Sequence, residues 1–243
     1  MNKAEKSMFF FNSTKIYLKS NPIVDLRKSI VAEILGEVSN KQIIDIGCGN
    51  GEVTKDYLVC NKVTFLDFST NMLALAKENI NDDYSANSTF INTDFSHFTT
   101  DNKYDIVVCL GVIAHVDNIG EFLYKLKEIT ADGGVILFQY TASEKLISKF
   151  NQLRHGLLSK TKYNYDYKIN STSSRFIKKL IDQTGLNLTK KVKYFPVSPL
   201  FSVFNYETKI KLLKFTYKSR LFSFLGSEII LSLSKTPITK KNK

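Results

Sequence analysis

Short apolar runs alternate along the chain with segments whose apolar residues recur at helical spacing. The predicted strands are residues 43–46, 63–67, 89–93, 104–111 and 135–138. The predicted helices begin near Pro22, Glu52, Ser69 and Asn118. Their apolar residues lie three and four positions apart, which is the spacing of one helix face. The helix at 52–59 is short, and the run 132–134, Asp-Gly-Gly, breaks the last helix before the fifth strand.

This alternation predicts the fold class. Five strand and helix repeats within residues 43–138 require a parallel sheet with right-handed crossovers and helices on both faces. Within the predicted strand 104–111, residues 106–110 are continuously apolar, as expected for a parallel strand buried on both faces. The chain has 243 residues, of which 43% are hydrophobic and 23% are charged. We therefore expect one globular domain spanning residues 1–243.

A glycine-rich turn directly follows the first predicted strand. Asp45 is followed by glycines at alternate positions, Gly47, Gly49 and Gly51, with Cys48 among them. A strand, a glycine turn and a helix in this order bring backbone N–H groups to the edge where open α/β sheets bind ligands. The spacing differs from the G-x-G-x-x-G of dinucleotide sites. A carboxylate beside this turn suits a ligand that carries an ammonium group.

Acidic residues also follow the second and third strands. Asp67 ends the second strand, and its two carboxylate oxygens can accept hydrogen bonds from both hydroxyls of a ribose. The alternative is an N-cap for the next helix, but Ser69 already fills that role. Asp94 can accept from an adenine amino group while the ring of Phe95 packs on the base. The alternative for Asp94 is a turn-capping role.

Together these features resemble the class I S-adenosylmethionine-dependent methyltransferases of the small-molecule type. The resemblance covers residues 22–140 and includes the glycine motif, the acids at the strand ends, the segment 104–115 and the Leu126-x5-Asp132-Gly133-Gly134 run. It implies a seven-stranded, mostly parallel, doubly wound sheet with an antiparallel last strand. The two remaining strands would then be residues 186–195 and 228–234, preceded by a helix at 173–184 that Gly185 caps.

The resemblance also implies S-adenosyl-L-methionine as the cofactor and assigns residues to it. The cofactor-binding positions are Asp45, Gly47, Cys48, Gly49, Gly51, Asp67, Phe68, Met72, Asp94, Phe95, Leu110 and Gly111. The reaction is a methyl transfer onto an oxygen or nitrogen atom of a small-molecule acceptor. No metal is required, and the sequence contains no dense cluster of metal-ligating side chains.

His115 follows the fourth strand and is the candidate general base, because its reference pKa lies near neutrality. The alternative is a structural histidine that orders the loop around the methionine half of the cofactor. Their expected location alone makes Tyr17, Tyr140, His155 and Tyr163 candidates for the acceptor pocket.

Three stretches lie outside the resemblance. Residues 1–21 form either an arm that folds over the ligand as a lid or a frayed terminus. Residues 141–170 and 198–226 are insertions expected on the acceptor side. In the second insertion, Ile210, Leu213, Tyr217 and Leu221 share one helix side, while Lys211, Lys214 and Lys218 share another. This describes either an ordinary amphipathic helix on the sheet or a surface that contacts membrane headgroups or an anionic carrier.

The net charge of +11 is unevenly distributed. Residues 1–140 hold 13 Lys and Arg against 18 Asp and Glu, whereas residues 141–243 hold 21 against 5. The basic half suggests an anionic partner, such as a phosphorylated substrate, a membrane surface or RNA, unless it reflects compositional bias alone. RNA methylation is the alternative function, although nucleic acid is disfavoured because no Pro-Pro-aromatic run follows the fourth strand. A non-catalytic protein that binds S-adenosylmethionine is a further alternative.

Composition also bears on location and assembly. No run of 18 apolar residues predicts a membrane span, and the apolar run near the N-terminus is too short for a secretory core. The three cysteines lack metal-ligand spacing. We expect a reduced cytoplasmic protein that is a monomer or a homodimer.

Overall fold

A computed structural model describes residues 6, 11–12, 21–144, 171–194, 204–219 and 226–235. Seven strands form one sheet in the order β3-β2-β1-β4-β5-β7-β6. The strands are β1 Gln42–Ile46, β2 Lys62–Asp67, β3 Ser88–Asn92, β4 Tyr104–Cys109, β5 Thr130–Thr141, β6 Asn187–Tyr194 and β7 Glu228–Ser234. The α-helices are α1 Pro22–Leu35, α2 Thr70–Asn79, α3 Ile119–Ile129, α4 Ser174–Thr184 and α5 Tyr206–Lys218.

The sheet is parallel through its first five strands. β1 pairs with both β2 and β4, β2 pairs with β3, and β4 pairs with β5, in each case in parallel. β7 lies between β5 and β6 and runs antiparallel to both. The predicted fold class, a doubly wound sheet with an antiparallel last strand, is confirmed. The strand order reverses between β1 and β4, so a crevice opens there at the carboxyl ends of the strands.

Alternate residues of each strand divide the core into two layers. Ile44 and Val107 face one layer, which contains the apolar sides of α3 and α4. Ile43 and Val108 face the other layer, which contains the apolar sides of α1, α2 and α5. Both faces of the central strands are therefore covered, as their continuous apolar sequences require.

The predicted helix at residues 52–59 is wrong. Turns lead instead into a five-residue 3-10 helix, Lys55–Val59. The Thr54 side chain turns inward and donates to Asp45, while the Asn61 side chain donates to the carbonyl of Tyr57. These side-chain bonds divert the segment from α-helical pairing, because polar side chains compete locally with the backbone ladder.

The start of β5 also differs from the prediction. The Asp-Gly-Gly run at 132–134 lies inside the strand, which begins at Thr130 directly after α3. The register with β4 shifts between Tyr104 and Ile106, and Gly133 has φ +78°. A bulge with a left-handed glycine therefore absorbs the residues that were expected to separate helix and strand.

The remaining elements follow the prediction to within a few residues at each end. The predicted caps are present: Asn118 accepts from the backbone N–H groups of Gly120 and Glu121, and Ser69 accepts from that of Met72. Within the described ranges, no helix has the length and apolar content that crossing a bilayer would need.

Candidate active site

The glycine turn after β1 is held against β2. The N–H groups of Gly47 and Cys48 both donate to the carbonyl of Leu66. Gly47 has φ +66°, and a Cβ added there would lie 2.4 Å from a methyl carbon of Val112. A larger residue would therefore be strained and would collide with the segment that follows β4. The turn needs glycine at this position because its backbone is left-handed and the Val112 side chain lies directly against it.

Two carboxylates lie at the turn, and both are buried. Asp45 is 4% exposed and accepts a hydrogen bond of 2.7 Å from the Thr54 hydroxyl. Asp67 is 5% exposed, and its two oxygens accept from the N–H groups of Gly49 and Ser69, each at 2.9 Å. The helix predicted after the turn is replaced here by a 3-10 segment, and the N–H group of Gly49 is already bonded to Asp67. Electrostatics at the turn are thus dominated by the two acids.

Burial shifts the ionisation of both acids. Desolvation raises the pKa of Asp45 to about 7, the Thr54 hydrogen bond opposes the shift, and the charge of Asp67 adds to it. Desolvation also raises the pKa of Asp67 to about 6, although three backbone hydrogen bonds stabilise its ionised form. Because it is costly to ionise both acids together, a cation bound beside them would stabilise their charged forms.

These acids line a cleft of about 470 Å³. Of the predicted cofactor residues, Asp45, Gly47, Cys48, Gly49, Asp67, Phe68, Met72, Asp94, Phe95, Leu110 and Gly111 all line it, as does His115. Gly51 lies behind the turn instead, where an added Cβ would contact Phe65 and Ala76. The structure therefore brings most of the predicted positions together around one cavity.

Asp94 caps a turn and also lines the cleft. Its Oδ1 accepts from both the backbone N–H and the hydroxyl of Ser96, each at 2.7 Å, so it does cap a turn. It still lines the cleft beside Phe95. The Phe95 ring is buried and packs edge-on against Phe122, with ring centroids 4.9 Å apart.

Phe11 lies on one side of the cleft. It belongs to the arm at residues 1–21 that the sequence analysis considered as a lid, but it was not named among the cofactor or pocket residues. Its ring lies edge-on to Phe68 and to His115, with centroid distances of 6.0 and 5.6 Å. The neighbouring Asn12 accepts a 2.7 Å hydrogen bond from the hydroxyl of Ser69, the cap of α2. Phe11 therefore lines the cleft, and Asn12 ties the arm to the start of α2.

Arg27 of α1 is a second cleft residue that the sequence analysis missed. Its guanidinium packs against Gly111, where an added Cβ would lie 3.0 Å from the nearest guanidinium nitrogen. A sequence signal was present, since Arg27 falls on the apolar side of α1 between Ile23 and Ile30. A charged residue at such a position needs a buried partner or a ligand.

Of the four predicted acceptor residues, only Tyr140 lies within the described residues. Tyr140 does not line this cleft: it is buried, and its hydroxyl donates to Ser174 at the start of α4 at 3.0 Å. Tyr17, His155 and Tyr163 lie outside the described residues. Across the described part of the chain, no group of three or more metal-ligating side chains is present.

Comparison with known proteins identifies the family to which the chain belongs. A family profile described as a methyltransferase domain matches residues 23–191, more than two thirds of the chain. The chain is 27% identical over 116 residues to a ubiquinone biosynthesis O-methyltransferase of Rickettsia bellii, covering 45% of this chain and 46% of the relative. It is 25% identical over 149 residues to a malonyl-(acyl-carrier protein) O-methyltransferase of Priestia megaterium, covering 57% and 52%.

The alignments thus span about half the length of each of these relatives. Among solved structures, a magnesium protoporphyrin IX methyltransferase from Synechocystis PCC 6803 with bound SAH has a similar fold. Its TM-score is 0.68 at 16% identity, covering 97% of this chain and 100% of that one. The chain belongs to the methyltransferase-domain family and has the class I fold. The predicted family is therefore confirmed. S-adenosylmethionine is the cofactor of that class, so the predicted cofactor is confirmed as well.

The raised pKa of Asp45 predicts a stability change in Asp45→Asn. An acid whose folded pKa exceeds its unfolded value stabilises the fold below the unfolded pKa, and this contribution is lost as pH rises through the folded pKa. Asparagine has no carboxyl group to ionise, so the variant does not lose this stability as the pH rises. Relative to the wild type, the variant should therefore become progressively more stable between about pH 4 and pH 7, with no further change above that range.

Urea unfolding of the ligand-free protein at several pH values measures this difference. Asp101→Asn, at an exposed turn residue, is the matched control and should show no such trend. A stability difference between Asp45→Asn and wild type that does not change with pH would contradict the raised pKa.

Proposed function

We propose that the cleft binds S-adenosylmethionine and that the chain transfers its methyl group to an oxygen or nitrogen atom of a small-molecule acceptor. The observation that carries this proposal is the buried pair Asp45 and Asp67 beside a turn that only glycine can form. A cleft with two acids of raised pKa fits a cationic ligand, and the glycine turn leaves room for its close approach.

Each polar group of the cofactor has a chemically matched residue in the cleft. Asp67 would accept from the ribose hydroxyls with the lone pairs that its backbone bonds leave open. Asp45 would face the ammonium group, and the guanidinium of Arg27 would bind the carboxylate of the methionine half. Asp94 and Phe95 would hold the adenine, with the amino group directed to the carboxylate.

The sulfonium supplies an activated methyl group and leaves as a neutral thioether. The chain therefore has no developing anion to stabilise on the leaving group, and its main task is to align the acceptor atom with the methyl carbon. Phe11 and Phe68 would exclude water from one side of the cleft. His115 lies at the cleft edge and would remove a proton from an acceptor hydroxyl or amine.

The relatives support oxygen as the methylated atom, since both are named O-methyltransferases. The basic second half of the chain supports an anionic or lipid-linked acceptor. Incubation with radiolabelled S-adenosylmethionine and extract fractions tests catalysis. A catalyst should label an acceptor and release S-adenosylhomocysteine, whereas a protein that only binds the cofactor would release none.

Asp67→Ala should weaken S-adenosylmethionine binding by about 1–3 kcal/mol, because it strands the ribose hydroxyls and the N–H groups of Gly49 and Ser69. Isothermal titration calorimetry measures the dissociation constant, and Asp101→Ala serves as the control. An unchanged constant in Asp67→Ala would remove Asp67 from the ribose site.

His115→Ala should leave the cofactor dissociation constant within about tenfold of wild type while it lowers the rate of methyl transfer. The reason is that a base acts on the acceptor and contributes little to cofactor affinity. Calorimetry and single-turnover kinetics separate the two effects. If affinity collapses instead, His115 orders the cofactor loop and is not the base.

A further inference from the structure

The outward side of α5 carries one apolar ring among cations. Lys211, Lys214, Phe215 and Lys218 are all exposed, and their spacing of three, four and seven positions places them on one side of the helix. We call these four residues the α5 stripe. Phe215 is 61% exposed. An ordinary surface helix places polar residues on this side, so a large exposed ring among lysines needs an explanation.

The orientation of α5 is fixed by its inner side. Leu213 and Thr216 are buried, and the helix packs against α1 and β6. At its first residue, the hydroxyl of Tyr206 donates to Asp25 in the first turn of α1. The helix therefore cannot rotate to bury the α5 stripe against its own sheet.

The charged residues of the α5 stripe itself are all cations. The only acid of α5 is Glu207 in its first turn, so the helix is free of carboxylates from Thr208 onward. β6 faces the α5 layer with Val192 and Tyr194, and on the same face Lys190 pairs with Glu33 of α1 at 3.3 Å. A cationic surface around a projecting aromatic ring complements an anionic phospholipid bilayer. Lysines bind the phosphates there, while the ring enters the boundary between headgroups and acyl chains.

The α5 helix contacts α1, a helix that lines the cleft, so whatever binds the α5 stripe is held close to the cleft. α5 begins against the first turn of α1, and that helix also supplies Val24 and Arg27 to the cleft wall. We propose that the α5 stripe docks the protein on the surface of an anionic phospholipid bilayer. Docking there would bring the cleft near lipid-soluble molecules. The binding itself does not depend on methyl transfer, so it can be tested separately from the proposed function.

A face of similar composition lies on the opposite side of the sheet and provides a matched control. On α4, Arg175, Phe176, Lys178 and Lys179 are exposed. This second face includes the exposed acid Asp182, and α4 packs in the other core layer. Non-specific attraction between any basic face and lipid would make the two helices equivalent.

Sedimentation with phosphatidylcholine vesicles, with and without phosphatidylglycerol, tests the proposal. Wild type should bind only vesicles that contain phosphatidylglycerol, and salt should release most of it. Changing Lys211, Lys214 and Lys218 together to glutamate should weaken this binding by about a hundredfold. Phe215→Ser should weaken the binding that remains at high salt. S-adenosylmethionine affinity and the unfolding midpoint of each variant should match wild type, which shows that the fold is intact.

The corresponding triple change on α4, Arg175, Lys178 and Lys179 to glutamate, should leave vesicle binding within about twofold of wild type. Equal losses from the α4 and α5 variants would overturn the proposal. Absence of any preference for phosphatidylglycerol would also overturn it. The proposal would also be overturned if the α5 stripe bound an acidic acyl carrier protein but did not bind the vesicles.

Discussion

The burial of Asp45 and Asp67 at the carboxyl ends of adjacent parallel strands is the constraint on which the site depends. Desolvation makes both acids reluctant to ionise, and each raised pKa represents free energy that a bound cation can recover. The protein holds them there with the Thr54 hydroxyl and with backbone N–H groups. The unliganded fold therefore carries a strain that cofactor binding would relieve, as functional sites often do.

The rest of the architecture places other groups around this pair. The reversal of strand order between β1 and β4 opens the crevice, and Gly47 in the turn lets the Val112 side chain approach the turn closely. From one side α1 contributes Arg27, whose charge is opposite to that of the acids. From above, Phe11 covers the space between Phe68 and His115. Elements far apart in sequence thus supply a cation, two anions and an aromatic cover to one cavity.

The spacing of apolar residues predicted most of the fold because each strand and α-helix has a clear hydrophobic periodicity of its own. The failures occur where tertiary contacts override that period. Residues 52–59 form turns and a short 3-10 helix, Lys55–Val59, because the Thr54 and Asn61 side chains bond to groups outside an α-helical ladder. Residues 132–134 lie in an irregular part of β5 because the pairing with β4 continues on both sides of them. Tyr140 was chosen as an acceptor residue by its location along the chain alone, and in the structure it is bonded to Ser174 and does not line the cleft. Arg27 was missed because helical spacing marked its face as core.

Calorimetry of S-adenosylmethionine binding in buffers of different ionisation enthalpy tests the central claim most directly. A bound cation lowers the pKa of nearby carboxyls, so binding at about pH 6.5 should release protons from Asp45 and Asp67 to the buffer. The account predicts proton release that is largest near this pH, fades above about pH 8, and shrinks when Asp45 is replaced by asparagine. Binding without proton release, or no binding at all, would contradict it.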